Sequence, residues 1–333
     1  MRDPTFAGRV WRLLRHPAII LTIAVAAACV LIGGNLVWLN VSTLMAVFSL
    51  IALSVGVTYG QAGILSVAQG TFAALGAYAT AILTFHYGWS PFAALPVAIL
   101  FPALCAYSVA YQVVRLSPLA LAIATLLFGK IVDVALRAGG DFTGGYIGMS
   151  GIPPLDWFEA PEAFNIVAWL CVIIVVVLYS NAISGAFGRA VQTIRHDTLR
   201  ASADGINIRR IQTQMFSLGA AIAGLAGWLY AHYTSFISPD SLGLHVSISA
   251  LLMAVVGGCR YVLGPIVGAV LLTLIVKYVP GQEVQGMFYG GALTLVLLIA
   301  PAGIVGALVS LSKLRVAPMS RMQKIRDVRD LAR

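Results

Sequence analysis

Three charged side chains stand inside an otherwise apolar stretch, LFGKIVDVALRA: Lys130, Asp133 and Arg137, three and four residues apart. On a helix those spacings put all three on one face, so Asp133 can pair with either cation. Ionisable groups inside an apolar span mark a solute path, a proton relay or a structural pair. The other reactive residue types are dispersed. His16, His86, His196, His232 and His245 are scattered, and Cys29, Cys105, Cys171 and Cys259 lie far apart. They offer no metal-ligand spacing and no disulfide framework. Gly129 and Lys130 lack the upstream glycine and the following hydroxyl of a phosphate-binding loop. A membrane-embedded enzyme needs clustered His, Asp, Glu or Ser, and the acids here are spread along loops. The expectation is a chain that binds no metal or cofactor itself and is not an enzyme. If ATP drives it, another polypeptide binds the nucleotide.

A second set is polar without being charged. In GVTYGQAGILSVAQGTFAALGAYA, Gly56, Gly60, Gly63, Ser66, Gly70 and Gly76 recur every three to six residues. Small residues at such spacing let backbones approach closely. Gln61 and Gln69 carry amides that are costly against lipid, so they should point into the protein. Two readings follow for Gly60, Gln61, Gly63, Ser66, Gln69 and Gly70. One is a tightly packed helix whose amides are satisfied by neighbours; the other is a broken helix lining a path, where unwound backbone meets solute.

The third set is GRAVQTIRHDTLRASADGINIRR, residues 188–210, the only long interior run too polar to cross a bilayer. Val191 and Ile194 sit at helical spacing, Asp197 is placed to cap a second short helix through Ala203, and Gly205 is placed to end it. The pattern predicts two short helices at the membrane surface. They are either a solvated basic loop beside anionic lipid or a docking element offering Ile206 and Ile208 among arginines.

The elements that must position these residues are membrane spans. Of 333 residues, 60% are apolar and only 10% charged, where a soluble domain has about 25%. The net charge of +9 does not point to nucleic acid, because the basic residues sit at Arg2, Arg9, Arg12 and Arg15, in the central run, and from Lys313 to Arg333. Apolar windows give ten spans (eight to ten allowing for short ones), near 17–34, 37–59, 62–84, 91–114, 117–138, 164–181, 212–235, 246–257, 263–279 and 287–308, the eighth being short. Ala27, Ala28 and Cys29 end a run that imitates a signal peptide, but the apolar segment continues, so a first span is the reading.

With the N-terminus inside, the central run and the tail also fall inside. Outer loops then hold Asp141, Asp156, Glu159, Glu162, Asp240 and Glu283 and no Lys or Arg. The expected organisation is a basic cytoplasmic N-terminus over 1–16, a transmembrane domain over 17–311 with an outer loop at 139–163 and an inner loop at 188–210, and a basic cytoplasmic tail over 312–333. Gly257, Gly258, Cys259 and Arg260 through Gly264 and Pro265 read as a tight inner turn.

The motif GQAGILSVAQGTFAALGAYA resembles the signature of the hydrophobic amino acid branch of ABC transporter permeases. RLSPLALAIATLLFGKIV, GGYIGMSGIP, GWLYAHYTSFISPDSL and MAVVGGCRYVLGPIVGAVLL follow in the order of that family, so the resemblance covers about 40–310. It implies an all-α polytopic permease of the ABC importer type in the bacterial inner membrane. The implied partners are ABC ATPase subunits that hold the ATP, a second permease subunit, a periplasmic solute-binding protein and membrane lipid, with no nucleic acid. The coupling residues it implies are Arg189, Ile194, Arg200, Ala201, Ala203, Gly205 and Ile206. The implied substrate is a branched-chain amino acid; urea, short amides and small organic acids are alternatives, and an ion-coupled secondary transporter is a further one. The chain departs from the family pattern at Arg200, where alanine is usual, and at Lys130, where an acid is usual.

Overall fold

The computed structural model describes residues 17–155, 158, 160–278, 291, 294, 298 and 303–316. Within them the chain is a helical bundle. Helix α1 (Pro17–Ile32) leads to α2 (Leu36–Val55), where the Asn35 side chain accepts from the Val37 amide. Helix α2 runs on into a π-helical turn (Gly56–Gln61), and after a non-helical segment α3 (Gln69–Phe85) begins. Helices α4 (Pro91–Val113) and α5 (Pro118–Ala138) start alike: a serine caps and a proline takes the first position, where its missing N–H is no loss. Then come β1 (Met149–Ser150), α6 (Pro161–Ser184), α7 (Ala186–His196), α8 (Thr198–Ala203), α9 (Ile208–Thr234), β2 (Phe236–Ile237), α10 (Leu244–Gly257), α11 (Gly264–Tyr278) and α12 (Gly303–Val316).

Among the described residues five helices are long and apolar enough to cross a membrane: Leu36–Gln61, α4, α5, α6 and α9. The expected count of ten is therefore not what the described residues give. The third expected span, 62–84, loses its first turns, because residues 62–68 are not helical. Helices α10 and α11, with 14 and 15 residues, reach only about 21–23 Å at 1.5 Å per residue. That is short of a hydrocarbon core about 30 Å thick. Of the expected tenth span, 287–308, most lies outside the described residues, as do residues 1–16 and 317–333 of the two expected basic termini.

Helix α9 is the centre of the bundle, packed on α4, α3 and α2. Its glycines explain how: a Cβ at Gly224 would overlap the Ala98 carbonyl of α4, and one at Gly227 the Ala73 carbonyl of α3. Lipid tails are as apolar as leucine, so helices in a membrane gain from such close packing rather than from leaving water. The buried Trp228 of α9 adds a hydrogen bond from Nε1 to the Pro91 carbonyl at 2.9 Å. A second layer sets α10 and α11 against α2 through Gly56, whose missing Cβ makes room for the Pro265 ring.

The two ends of the bundle sort by charge. At one end Gln61 donates to the Arg260 carbonyl at 3.1 Å, and Arg209 Nε donates to the Tyr111 carbonyl at 2.8 Å. At the other end β1 and β2 pair antiparallel, Met149 opposite Ile237, and Asp141, Glu162 and Asp240 lie in the loops or first turns. The rule that basic loops stay inside makes the basic end the expected inner end.

Candidate functional site

The break after α2 is built by named partners. Gly63 turns the chain at φ +70, and the Ile64 amide reaches the Thr58 carbonyl at 3.0 Å. From there residues alternate: Ile64, Ser66 and Ala68 are buried, while Gly63 is exposed and Leu65 and Val67 are half-buried. The Val67 amide donates to Thr125 Oγ1 of α5 at 3.1 Å, and Ser66 Oγ accepts from Ala68 at 3.3 Å. Gln69, wholly buried, accepts from the Ser54 hydroxyl at 3.2 Å and donates to Thr58 Oγ1 at 3.4 Å. The Gly70 amide donates to Ser247 Oγ of α10 at 2.9 Å. Both sequence readings are partly realised: the helix is broken, and the amides of Gln61 and Gln69 are satisfied inside the chain. Non-helical backbone at this depth is tolerated where protein covers it or a cavity meets it.

Thr125 belongs to α5, on which only Leu121 and Thr125 are buried. Leu119, Ile123, Leu127, Ile131 and Val134 form an uncovered apolar stripe along its length. On the edge of that stripe stand the three charges. Lys130 Nζ is 3.7 Å from Asp133 Oδ2, and Arg137 Nε donates to Asp133 Oδ1 at 3.0 Å. Asp133 therefore pairs with both cations. A fourth member was not foreseen: Arg137 Nη2 donates to Asp240 at 2.6 Å across 103 residues of sequence. Only a rule pairing a span's outermost cation with an acid of a facing loop would have found it. Arg137 also lies over the Tyr146 ring, 5.4 Å from its centroid.

At the inner end the polar run forms the two helices α7 and α8. Asp197 Oδ1 accepts from the Leu199 amide at 2.9 Å and from the Arg200 amide at 3.1 Å, and Gly205 leaves the helix at φ +76. Arg189, Arg200, Ala203 and Gly205 are exposed, and Ile206 is half-buried. Ile194 and Ala201, at 3% and 0% exposure, face the chain's own interior. Their side chains, with Val191, seat the knob and offer nothing to a partner. The prominent apolar residue is instead Leu199, 80% exposed. It escaped notice because nothing in TLRASA tells which side of a six-residue helix faces out. Arg195 lies half-buried near Arg260, and burial followed by that second guanidinium pushes its pKa down. Neither has a carboxylate partner among the described residues. Burial pushes the Cys259 thiol's pKa up.

Among the described residues no three His, Cys, Asp or Glu side chains gather as metal ligands. What the chain has is an uncovered apolar face bearing charges, a covered break beside it and a basic knob inside. Residues 37–301 match the family described as branched-chain amino acid transport system, permease component. The chain is similar to the high-affinity branched-chain amino acid transport system permease protein LivM of Escherichia coli, 29% identical over 313 residues, covering 86% of this chain and 73% of the relative. It is also similar to the corresponding permease LivH of Escherichia coli, 28% identical over 296 residues with 80% and 94% covered. The probable permease LivH of Methanocaldococcus jannaschii is 26% identical over 281 residues, with 77% and 88% covered. No solved structure matches significantly.

Proposed function

The chain belongs to the branched-chain amino acid transport permease family, and from that premise we propose that it is one of two membrane subunits of an ATP-driven importer of branched-chain amino acids. It is a multi-pass membrane transport protein; we place it in the bacterial inner membrane, with its outer loops toward a periplasmic binding protein. The observation that carries the reading is the family match over 37–301. The knob α7–α8 supports it, since a capped helix pair with an exposed Leu199 between arginines has the apolar anchor and the charge that a groove on a partner takes. In this reading the partner is an ATPase that holds the nucleotide. Arg189, Arg200, Ala203, Gly205 and Ile206 meet it directly, and Ile194 and Ala201 pass its movement into the bundle because they are packed inside it.

Closure of two ATPases would pull on the paired knobs and tilt the helices between inward-facing and outward-facing arrangements, a two-state rigid-body change. The break at 62–68 and the uncovered face of α5 would line the path, with Gly60, Gln61, Ser66, Gln69 and Gly70 holding the break in shape. The test is gentle solubilisation of a tagged chain from its own membrane, followed by reconstitution with binding protein outside and ATP inside. An ATPase and a second permease should accompany the chain, and leucine uptake should require ATP. Uptake driven by an ion gradient without ATP would overturn the reading.

A further inference from the structure

We propose that Lys130, Asp133, Arg137 and Asp240 form a ladder of two cation–carboxylate rungs that hands the zwitterionic head group of an amino acid down the outer half of the path. The proposal rests on the reading of the chain as an amino acid importer subunit. Lys130 lies 12 residues into the 21 of α5, about 18 Å from one end and 12 Å from the other. Its side chain is 54% exposed at that depth. A lysine in the middle third of a span is strongly disfavoured against hydrocarbon and belongs on a wet or protein-lined face. The uncovered side of α5 is therefore, at least along this edge, not a lipid face.

The pairing within the set leaves capacity for a ligand. Arg137 is held twice, by Asp133 at 3.0 Å and by Asp240 at 2.6 Å. Among the described residues Lys130 has only the longer 3.7 Å share of Asp133. An ammonium has three donors, so Lys130 can take a carboxylate without breaking a short bond. Asp240, with a side chain 76% exposed and one oxygen engaged by Arg137, can take an ammonium. Two cations and two carboxylates sum to zero. A lone cation or anion gains no net attraction there, an uncharged amide finds its dipole matched only weakly, and a zwitterion finds both signs at each rung. The outer rung is Arg137 with Asp240, and the inner rung is Lys130 with Asp133, seven residues or about 10 Å deeper.

Leu127, Ile131 and Val134 on the adjoining stripe are placed to receive an apolar side chain while the head group changes partners. Tyr78, 1% exposed, has a hydroxyl that makes no hydrogen bond among the described residues.

The test uses the assembled transporter in proteoliposomes, in a background freed of Cys29, Cys105, Cys171 and Cys259. Leucine uptake per ATP hydrolysed should fall about tenfold in Lys130→Cys, the scale of one lost charge-assisted contact. Labelling from the outer side with a thiosulfonate carrying an ethylammonium group should restore much of it, and the ethylsulfonate reagent should not. Leucine-loaded binding protein with ATP should slow both labelling reactions. A Lys130→Cys variant inert to both reagents with uptake intact would put position 130 in lipid and overturn the ladder, as would equal rescue by both reagents.

If the cysteine-free background does not transport, the native background decides. Lys130→Arg should keep several times more uptake than Lys130→Gln, and equal uptake by the two overturns the proposal. Failure of the importer reading shows separately, as a wild-type complex that moves no leucine before any variant is read.

Discussion

Gly60 and Gly63 flank the start of the break and are glycine for different reasons. Gly60 sits in the π-helical turn, where an added Cβ would overlap the Cys259 carbonyl of the inner turn. Gly63 has nothing within 4 Å of that position but holds φ +70. Substitution at the first is a packing problem and at the second a backbone one. Gly60→Ala should cost about 1–3 kcal/mol as overpacking, and Gly60→Asn more. Gly63→Ala should cost about 1–2 kcal/mol of left-handed strain, and Gly63→Asn less, since Asn tolerates that region. Thermal unfolding in detergent checks the crossed order, and an Asn no better than Ala at 63 would refute the strain argument. Close approach, expected from the sequence for both glycines, is found at Gly60 and not at Gly63, and Gln61 and Gln69 are buried as expected. The sequence did not show Asp240 on Arg137, because that contact joins residues 103 apart.

Legibility at the level of elements follows how local the causes are. The second helix of the knob was expected to start after Asp197, run through Ala203 and end by Gly205, and α8 spans Thr198–Ala203. Cap, turn and stop lie within nine residues, 197–205, so local chemistry settled it. The break at 62–68 was visible only as one of two readings, because Thr125 on α5 and Ser247 on α10 hold it. Asp197→Ala should remove both cap bonds and cost about 1 kcal/mol. Hydrogen exchange at the Leu199 and Arg200 amides should speed up, with exchange in α9 unchanged.

Gly205 gives a second test on the same element. Among the described residues nothing lies within 4 Å of an added Cβ there, so a Cβ at 205 has no packing cost within the subunit. Gly205→Leu should insert and assemble yet lose uptake per ATP hydrolysed, while Gly205→Asn, which tolerates φ +76, should keep more of it. Equal coupling in wild type and Gly205→Leu would remove the partner from the knob.

Across the bundle, the coupling role of the knob depends on which end faces the cytoplasm. Charge sorting and contacts agree: the turn at Arg260, the knob and the inner end of α4 at Tyr111 meet at one end, and β1, β2 and the acid-bearing loops at the other. The number of spans was less legible than the sorting of charged loops to two ends of the bundle. Hydropathy windows see apolar length, whereas α3 is shortened by a break and α10 by the descent of the chain before Leu244 to meet Gly70. The sorting of charge is a property of loops and survives those losses. Ile147 is 83% exposed in the outer loop, and Ser202 is exposed on α8. With the native cysteines removed, Ile147→Cys should react with an impermeant maleimide in whole spheroplasts and Ser202→Cys only in inverted vesicles washed free of peripheral subunits. The reverse pattern would put the arginines of the knob on the outer side, against the rule that basic loops stay inside, and no cytoplasmic ATPase could then reach them. Labelling of both positions from one side would instead break the assignment of α6, the helix that carries the chain from the outer loop to the knob.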